Sequence, residues 1–471
     1  LFNALRFFNA LRFFNALRFF NTLRFFNTLR FFNTLRFFNT LRFFDTLRFF
    51  NTLRFFNTLR FFDTLRAFNA LRSFDSFGKF SLALPLDEQA CMNLIALAIP
   101  AFLALIAIEA LIARARHRQV YRFNDAVSDL GCGLSSQIIS SVLLGAMRTA
   151  AYIWVFTQLR LWDLDELGIA PAWQWIFGLV GVDFLYYWWH RASHEVNLLW
   201  AAHIVHHQSE DYNLAVALRQ AWFTGMTALP IFLVLGLLGV PPHIYLVSKS
   251  VSSLYQFWIH TELIDRMGPI GKILNTPSHH RVHHAINREY LDRNYGGILI
   301  LWDRLFGTFE PERAQPVYGT TRALESFSPI WANIHHFFDI AHKAQRLPRW
   351  RDKIRVWWMH PGWSPNRRQS SLSTAMLAQR RRHKYSPNCA KPWVQAYIGL
   401  NLLATVYATA TLLHTIKTLS LPLTLAASAL VVMTTSVWGG LFEGKRWAWP
   451  LEILRLVGVA ALLLSLLLSA S

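Results

Sequence analysis

Ten of the eighteen histidines fall into three short clusters and a singleton: His190 and His194; His203, His206 and His207; His260; and His279, His280, His283 and His284. Neutral imidazole offers a lone pair to a metal ion, and spacings of three and four residues set the rings of one cluster on one helical face, where several can converge. Each cluster therefore reads as a multidentate claw. Eight or more imidazoles exceed the coordination of one ion, so two metals are expected, while ligand type alone leaves iron, zinc, copper and nickel open. His279 lies four residues before His283 and is a ligand candidate beside His280; spacing does not separate the two. His243, His414 and the pair His335 and His336 read as ordinary polar residues near the interface.

Acidic and amide groups nearby are candidates for the groups that orient the rings and assist catalysis. Asp183 precedes His190 by seven residues, near the same helical face, and an acid inside an apolar span points to function. A counter-ion role toward Arg191 or another span is the equal alternative. Glu195, Asn213, Asp292 and Asn294 are weaker candidates, and Glu109 reads as an acid that snorkels or pairs between helices.

The elements that position these residues read as helices. The chain has 471 residues, of which 53% are hydrophobic, and its fold class is expected to be an all-α integral membrane protein. Apolar stretches at 94–113, 134–156 and 173–189 are long enough to cross a bilayer core of about 30 Å. Residues 223–238 and 243–259, joined by Gly239 and Pro241-Pro242, read as a hairpin that enters the membrane and returns. Three more spans follow at 394–413, 421–438 and 453–468. Arg114, Arg116 and Arg118 close the first span and mark a cytoplasmic end under the positive-inside tendency. Counting from there, His190 and His260 emerge on the cytoplasmic side, so the clusters can meet in a histidine-rich di-metal cap over the transmembrane core.

The formal charge is +20. Half of that excess lies in residues 1–72, where twelve arginines face only Asp45 and Asp63. The remaining basic groups adjoin apolar runs, an arrangement that suits an anionic leaflet and excludes nucleic acid as the expected partner. Cys91, Cys132 and Cys389 are odd in number and far apart, which indicates neither a disulfide framework nor a thiolate site.

Residues 1–72 form a six-residue repeat that begins LFNALRFFNALRFF and holds 22 of the 39 phenylalanines. A six-residue step turns a helix by 600°, so the Phe pairs spread around the cylinder and leave no buried face. The repeat is expected to be translated tandem-repeat DNA or an overextended gene start without function, the alternative being a basic aromatic arm on the membrane surface. The organisation that follows is a histidine-bearing membrane domain at 90–345, a basic cytoplasmic linker at 346–392 and a C-terminal transmembrane bundle at 393–471.

The spacings HxxxH, HxxHH and HxxHH, with Asp183-Phe-Leu-Tyr-Tyr-Trp-Trp-His, Asn213-Leu-Ala-Val-Ala-Leu-Arg-Gln, Gln256-Phe-Trp-Ile-His and Asn294-Tyr-Gly-Gly around them, resemble the fatty acid hydroxylase and sterol desaturase superfamily. The similarity covers roughly residues 95–465. It implies a membrane-bound di-iron oxygenase that uses O₂ on a lipid C–H bond, and the flanking motifs are nearest to the ether-lipid-cleaving branch. That branch takes electrons from tetrahydrobiopterin, whereas sterol and fatty-acyl relatives draw them through cytochrome b5 or similar carriers such as ferredoxins; no motif fixes the donor. Gln208 departs from the Ser expected in the animal enzymes, which leaves the substrate open. The rivals are a sterol, carotenoid or fatty-acyl hydroxylase or desaturase, and a histidine-rich membrane metal transporter. A transporter would distribute its histidines through the spans, and here they gather at one end.

Overall fold

A computed structural model of the chain describes residues 87–365, 373–387, 390–416 and 418–470. The hexapeptide repeat lies outside the described residues. The architecture among the described residues is all-helical, with two isolated β-bridges, Leu274 with Leu299 and Ala285 with Tyr318.

Helix α1 (Asp87–Ala115) is followed by α2 (Phe123–Ser136), a π-helical segment (Gln137–Leu143) and α3 (Gly145–Leu159). The stretch expected as one straight span at 134–156 is thus two helices bent by 53°. The π segment is the physical cause, because its wider turn breaks the i→i−4 ladder. Then come α4 (Pro171–Glu195), the short α5 (Asn197–Ala201), α6 (Thr224–Leu237) and α7 (Pro242–Trp258). The segment that carries the last histidine cluster is α8 (Pro277–His283), with α9 (Leu301–Phe306) behind it. The amphipathic α10 (Pro329–Arg346) and α11 (Trp350–Trp358) and the basic α12 (Thr374–Arg382) lead to α13 (Pro392–Thr415), α14 (Leu421–Phe442) and α15 (Ala448–Ala470).

Among the described residues four helices are long and apolar enough to cross a membrane, within α1, α13, α14 and α15, and the bent α2–α3 pair makes five if it is counted as one span. Helix α4, expected as a span, is outside that set because Trp, Tyr, Asp183 and the histidines dilute its aliphatic content. The expected hairpin is realised as α6, which has only 14 residues, and α7, which carries Lys249 and four serines. Gly239 has φ +83° at the turn between them, and a Cβ there would meet the Trp162 carbonyl at 2.1 Å, so only glycine fits the corner.

The two largest of the apolar clusters among the described residues show how the helices are held. Tyr152, Val182, Phe232, Leu235 and Ile244 join α3, α4, α6 and α7. Val127, Phe327, Ile398, Val437 and Trp438 join α2, α13 and α14. The second cluster crosses the boundary drawn at 392/393, so α13 and α14 pack on the histidine-bearing region directly. Inside the C-terminal helices Arg455 pairs with Glu452 and donates to Asn401 Oδ1 at 2.9 Å, a polar clasp whose charges are compensated internally. The basic segment 346–392 is tied down as well: Lys384 pairs with Asp211, and the Tyr385 amide donates to Glu210 at 2.6 Å.

Candidate metal centre

Nine of the ten candidate histidines come together in two groups, and each is at most 8% exposed. His190, His194, His203, His207 and His283 form one group; His206, His260, His280 and His284 form the other, with ligand atoms within 4.8 Å of one another in each. The sequence motifs do not act as separate claws. His203 and His207 face one group while His206 faces the other, and His280 and His284 face the second group while His283 crosses to the first. In the α-helical turn at 280–284 residues four apart return to nearly the same direction whereas residues three and four along differ by about 100°; residues 204–207 form a 3-10 turn, and there the split follows from how the turn packs between the two groups.

Backbone carbonyls fix four of the rings. Nδ1–H donates to Tyr295 O from His190 (2.8 Å), to Arg293 O from His283 (3.0 Å), to Arg219 O from His206 (3.0 Å) and to Gln256 O from His260 (2.7 Å). In a neutral ring this leaves Nε2 bare and pointed inward. Burial keeps the rings neutral: it drives His203, His207, His260, His280, His283 and His284 well below the ordinary imidazole range and His206 down to about 4.

The consequence is a set of lone pairs aimed at one another. His206 Nε2 and His260 Nε2 lie 3.2 Å apart, and neither carries a hydrogen to offer. His194 Nε2 and His283 Nε2 are buried without any hydrogen-bond partner. Opposed lone pairs in a buried site are unfavourable unless a cation sits among them. Within the groups, neighbouring Nε2 atoms are 3.0–3.2 Å apart. Nitrogens bound at about 2.1 Å are separated by roughly 3.0 Å when 90° apart and roughly 3.4 Å in a tetrahedron, so the spacing fits ions of five or six ligands. The residues present therefore fit two imidazole-ligated metal ions.

His279 joins neither group. Its Nδ1 lies 3.2 Å from Thr276 Oγ1, its ring packs edge-on against Phe309, and its carbonyl accepts from Asn294 Nδ2. Asp183, Glu195 and Asp292 likewise contribute no atom to either group, and the Asn213 side chain bonds Val120 O and the Ala215 amide instead. Asp183 accepts from the amides of Ile298 and Leu299 and from Trp302 Nε1 at 2.6–3.0 Å, and so pins the loop that presents Tyr295 O to His190. Gly297 permits that approach, because a Cβ there would meet Asp183 Oδ1 at 2.8 Å. Asp292 and Asn294 have φ of 59° and 57°, a left-handed turn that short polar side chains tolerate and that turns the Arg293 carbonyl toward His283. Asp292 also pairs with His360 at 3.0 Å, which raises the imidazole's affinity for protons. Glu195 pairs with Arg191 on the surface at 2.9 Å, and Asn213 ties Val120 to the turn at Ala215.

Two residues escaped the sequence reading. Asp303 accepts from the Tyr295 and Gly296 amides and from Thr308 Oγ1, all at 2.7 Å. Arg219 is 2% exposed, pairs with the fully buried Asp129 at 3.0 Å and donates to Val205 O and Gln208 Oε1. Arg219 lies in a stretch quoted above for its resemblance, which was the available signal, whereas Asp303 lies beyond the quoted Asn294-Tyr-Gly-Gly. Gln208 is occupied by Arg219 and by Ala332 O at 3.1 Å, away from both groups. Glu109 accepts from Tyr121, Thr261 and the Leu214 amide, so it pairs between segments and ties α1 to the chain beside both groups.

Comparison with known proteins agrees with this geometry. Residues 175–308 match the fatty acid hydroxylase family. The chain is 41% identical to alkylglycerol monooxygenase of Homo sapiens over 277 residues, covering 59% of this chain and 61% of that protein. It is 37% identical to the Xenopus tropicalis alkylglycerol monooxygenase over 75% of this chain and 78% of the relative, and 36% identical to that of Danio rerio over 76% and 80%. No solved structure matches the chain. The extent of these alignments, with two buried groups of histidines inside the matched region, shows that the chain belongs to the fatty acid hydroxylase family of di-iron oxidoreductases.

Proposed function

We propose that the protein is an O₂-dependent monooxygenase that hydroxylates the carbon beside the ether oxygen of an alkylglycerol, with tetrahydrobiopterin or a related pterin as donor. The observation that carries this reading is the facing of bare Nε2 atoms in two buried groups. Likeness to alkylglycerol monooxygenases over about three quarters of the chain supports the choice of substrate. Bound iron supplies the activation of O₂ needed to attack a strong C–H bond.

In balance, one oxygen atom enters the C–H bond and the other leaves as water, while the donor provides two electrons and two protons. The product is a hemiacetal. Its hydroxyl proton passes to the ether oxygen as the C–O bond breaks, which releases a fatty aldehyde and glycerol. His190, His194, His203, His207 and His283 would hold one ion, and His206, His260, His280 and His284 the other. The carbonyls of residues 219, 256, 293 and 295 hold each donor ring in one tautomer. Trp189, Trp200, Tyr212 and Tyr295 wall the rings with aromatic faces and exclude water, which protects a reactive oxidant. On the positive-inside argument, the site faces the cytoplasm and the lipid enters from the membrane.

The test incubates membranes containing the full chain with an alkylglycerol, tetrahydrobiopterin and O₂. Aldehyde release, with about two irons per chain in purified protein, is the expected result. Zinc alone, with no O₂ uptake on any lipid, overturns the oxygenase. Uptake on sterol, carotenoid or fatty-acyl substrates but none on alkylglycerols overturns the ether-lipid assignment.

A further inference from the structure

Outside the two buried groups, one further set of side chains among the described residues brings metal-binding atoms together. His335, His336 and Asp339, all on α10 and all half-buried, have ligand atoms within 4.8 Å of one another. The helix itself makes the triangle. At about 100° per residue, Asp339 stands about 40° from His335 and about 60° from His336, one turn further on, so its carboxylate reaches back between the two rings. Spacing alone marks these histidines as ordinary polar residues; their hydrogen bonds set them apart.

Each ring has one nitrogen committed and one left over. His335 shares its Nδ1–H between the carbonyls of Trp331 and Ala332, both at 3.1 Å, which leaves the Nε2 lone pair. His336 donates Nε2–H to Asn197 Oδ1 at 2.8 Å, which leaves Nδ1. The Asn197 amide is fixed in that sense, because its Nδ2 donates to Val356 O at 2.8 Å. A bond from the far nitrogen to a carbonyl or amide oxygen is how ligand imidazoles are oriented, and the buried groups are held in the same way. Burial also lowers the proton affinity of both rings, that of His336 to about 4, so both are neutral. Asp339 adds the negative charge; its ion pair with Arg322 at 3.2 Å involves an arginine that is 83% exposed, and such a pair is weak.

We propose that α10 carries a third metal site, in which His335 Nε2, His336 Nδ1 and an Asp339 oxygen hold a zinc-class divalent cation. Two imidazoles and a carboxylate form an open zinc site, whereas magnesium and calcium favour all-oxygen surroundings. Rotation of half-buried side chains brings the three atoms to the separation of roughly 3.0–3.4 Å that bonds of about 2.1 Å require. The place of the site in the fold gives the ion its role. His336 is bonded to Asn197 at the start of α5, in the stretch between His194 and His203, and the Asn197 backbone amide donates to Met359 O at the end of α11. A cation there braces α10 against α5 and α11. The site is independent of the reaction proposed for the buried groups.

For the test, full-length, iron-loaded protein in detergent is equilibrated with Zn²⁺ and desalted, and its metals are counted. Wild type should gain about one zinc per chain while keeping its iron. His335→Gln and Asp339→Asn should keep iron and wild-type turnover yet bind zinc more than about tenfold more weakly, since even a hydrogen-bonded partner of a ligand is worth that much. Arg322→Ala, at an exposed position that leaves the fold alone, removes a competing cation and should tighten zinc binding about threefold. Co²⁺ used in place of zinc should show a visible ligand-field absorption in wild type that His335→Gln lacks. Zinc should also raise the thermal unfolding midpoint of wild type by a few degrees and leave that of His335→Gln where it was. Zinc gained only as iron is lost lies in the buried groups and overturns the proposal. No added zinc, equal zinc affinity in the ligand variants, or unchanged or weaker affinity in Arg322→Ala does the same. Zinc bound with no shift of the midpoint overturns the bracing role.

Discussion

The two histidine groups share the turns at 203–207 and 280–284 yet differ in how closed they are. One has five rings, packed by Trp189, Trp200 and Tyr295, with its carbonyl anchors on the loop from Arg293 to Tyr295. The other has four rings, its anchors on Arg219 and Gln256, and Tyr212 as the outer wall toward a charged cavity. On the proposed assignment of ligands, the five-ring group would be the more enclosed site, and the four-ring group would leave more coordination open for exchangeable partners.

The sharpest way to break this comparison is to remove one ring from each side. His207→Ala and His284→Ala are each expected to lower aldehyde formation about a thousandfold or more, as loss of an essential metal would. Metal analysis should show each variant short of about one ion, and retention of both ions with near-normal turnover would remove that histidine from the ligand set. Next in size is Asp129→Ala. It strands the buried Arg219, whose carbonyl holds His206, and breaking such a pair costs about 3–5 kcal/mol; thermal unfolding in detergent checks the loss. Asp183→Ala frees the loop behind His190 and should weaken metal binding at the five-ring group about 10- to 100-fold, read by competition with a chelator. The smallest effect belongs to Glu195→Ala, whose exposed pair with Arg191 is worth about 0.3–0.5 kcal/mol; turnover should stay within about twofold. Deletion of residues 1–72 is expected to leave turnover equally unchanged, and loss of membrane insertion would show that the repeat has a function.

Much of this was legible in the sequence, for reasons that can be located. Imidazole chemistry and short spacing picked out nine histidines that the fold brings together, and apolar length picked out α1, α13, α14 and α15. The sorting of rings was harder. It depends on one turn being α-helical and the other 3-10 and on how the two turns meet, which is tertiary information. His279 shows the limit, since its spacing to His283 equals that of a ligand pair but its ring turns toward Phe309. Asp183 stands out in the sequence as an unusual acid, while its partners, backbone amides 115 and 116 residues further on, carry no side-chain signal at all. Helix α4 was read as a span because tryptophan and tyrosine count as apolar in bulk; they also serve to wall a polar site, and composition alone does not separate the two uses.

The exchange of one ring between the two clusters has a further consequence. Because 203–207 and 280–284 each contribute to both sides, filling either side fixes both turns and leaves the remaining rings already in place. Loading should then be cooperative: stepwise reconstitution of stripped protein would show few singly loaded molecules and a Hill coefficient above one, and half-loaded material would redistribute into empty and full forms.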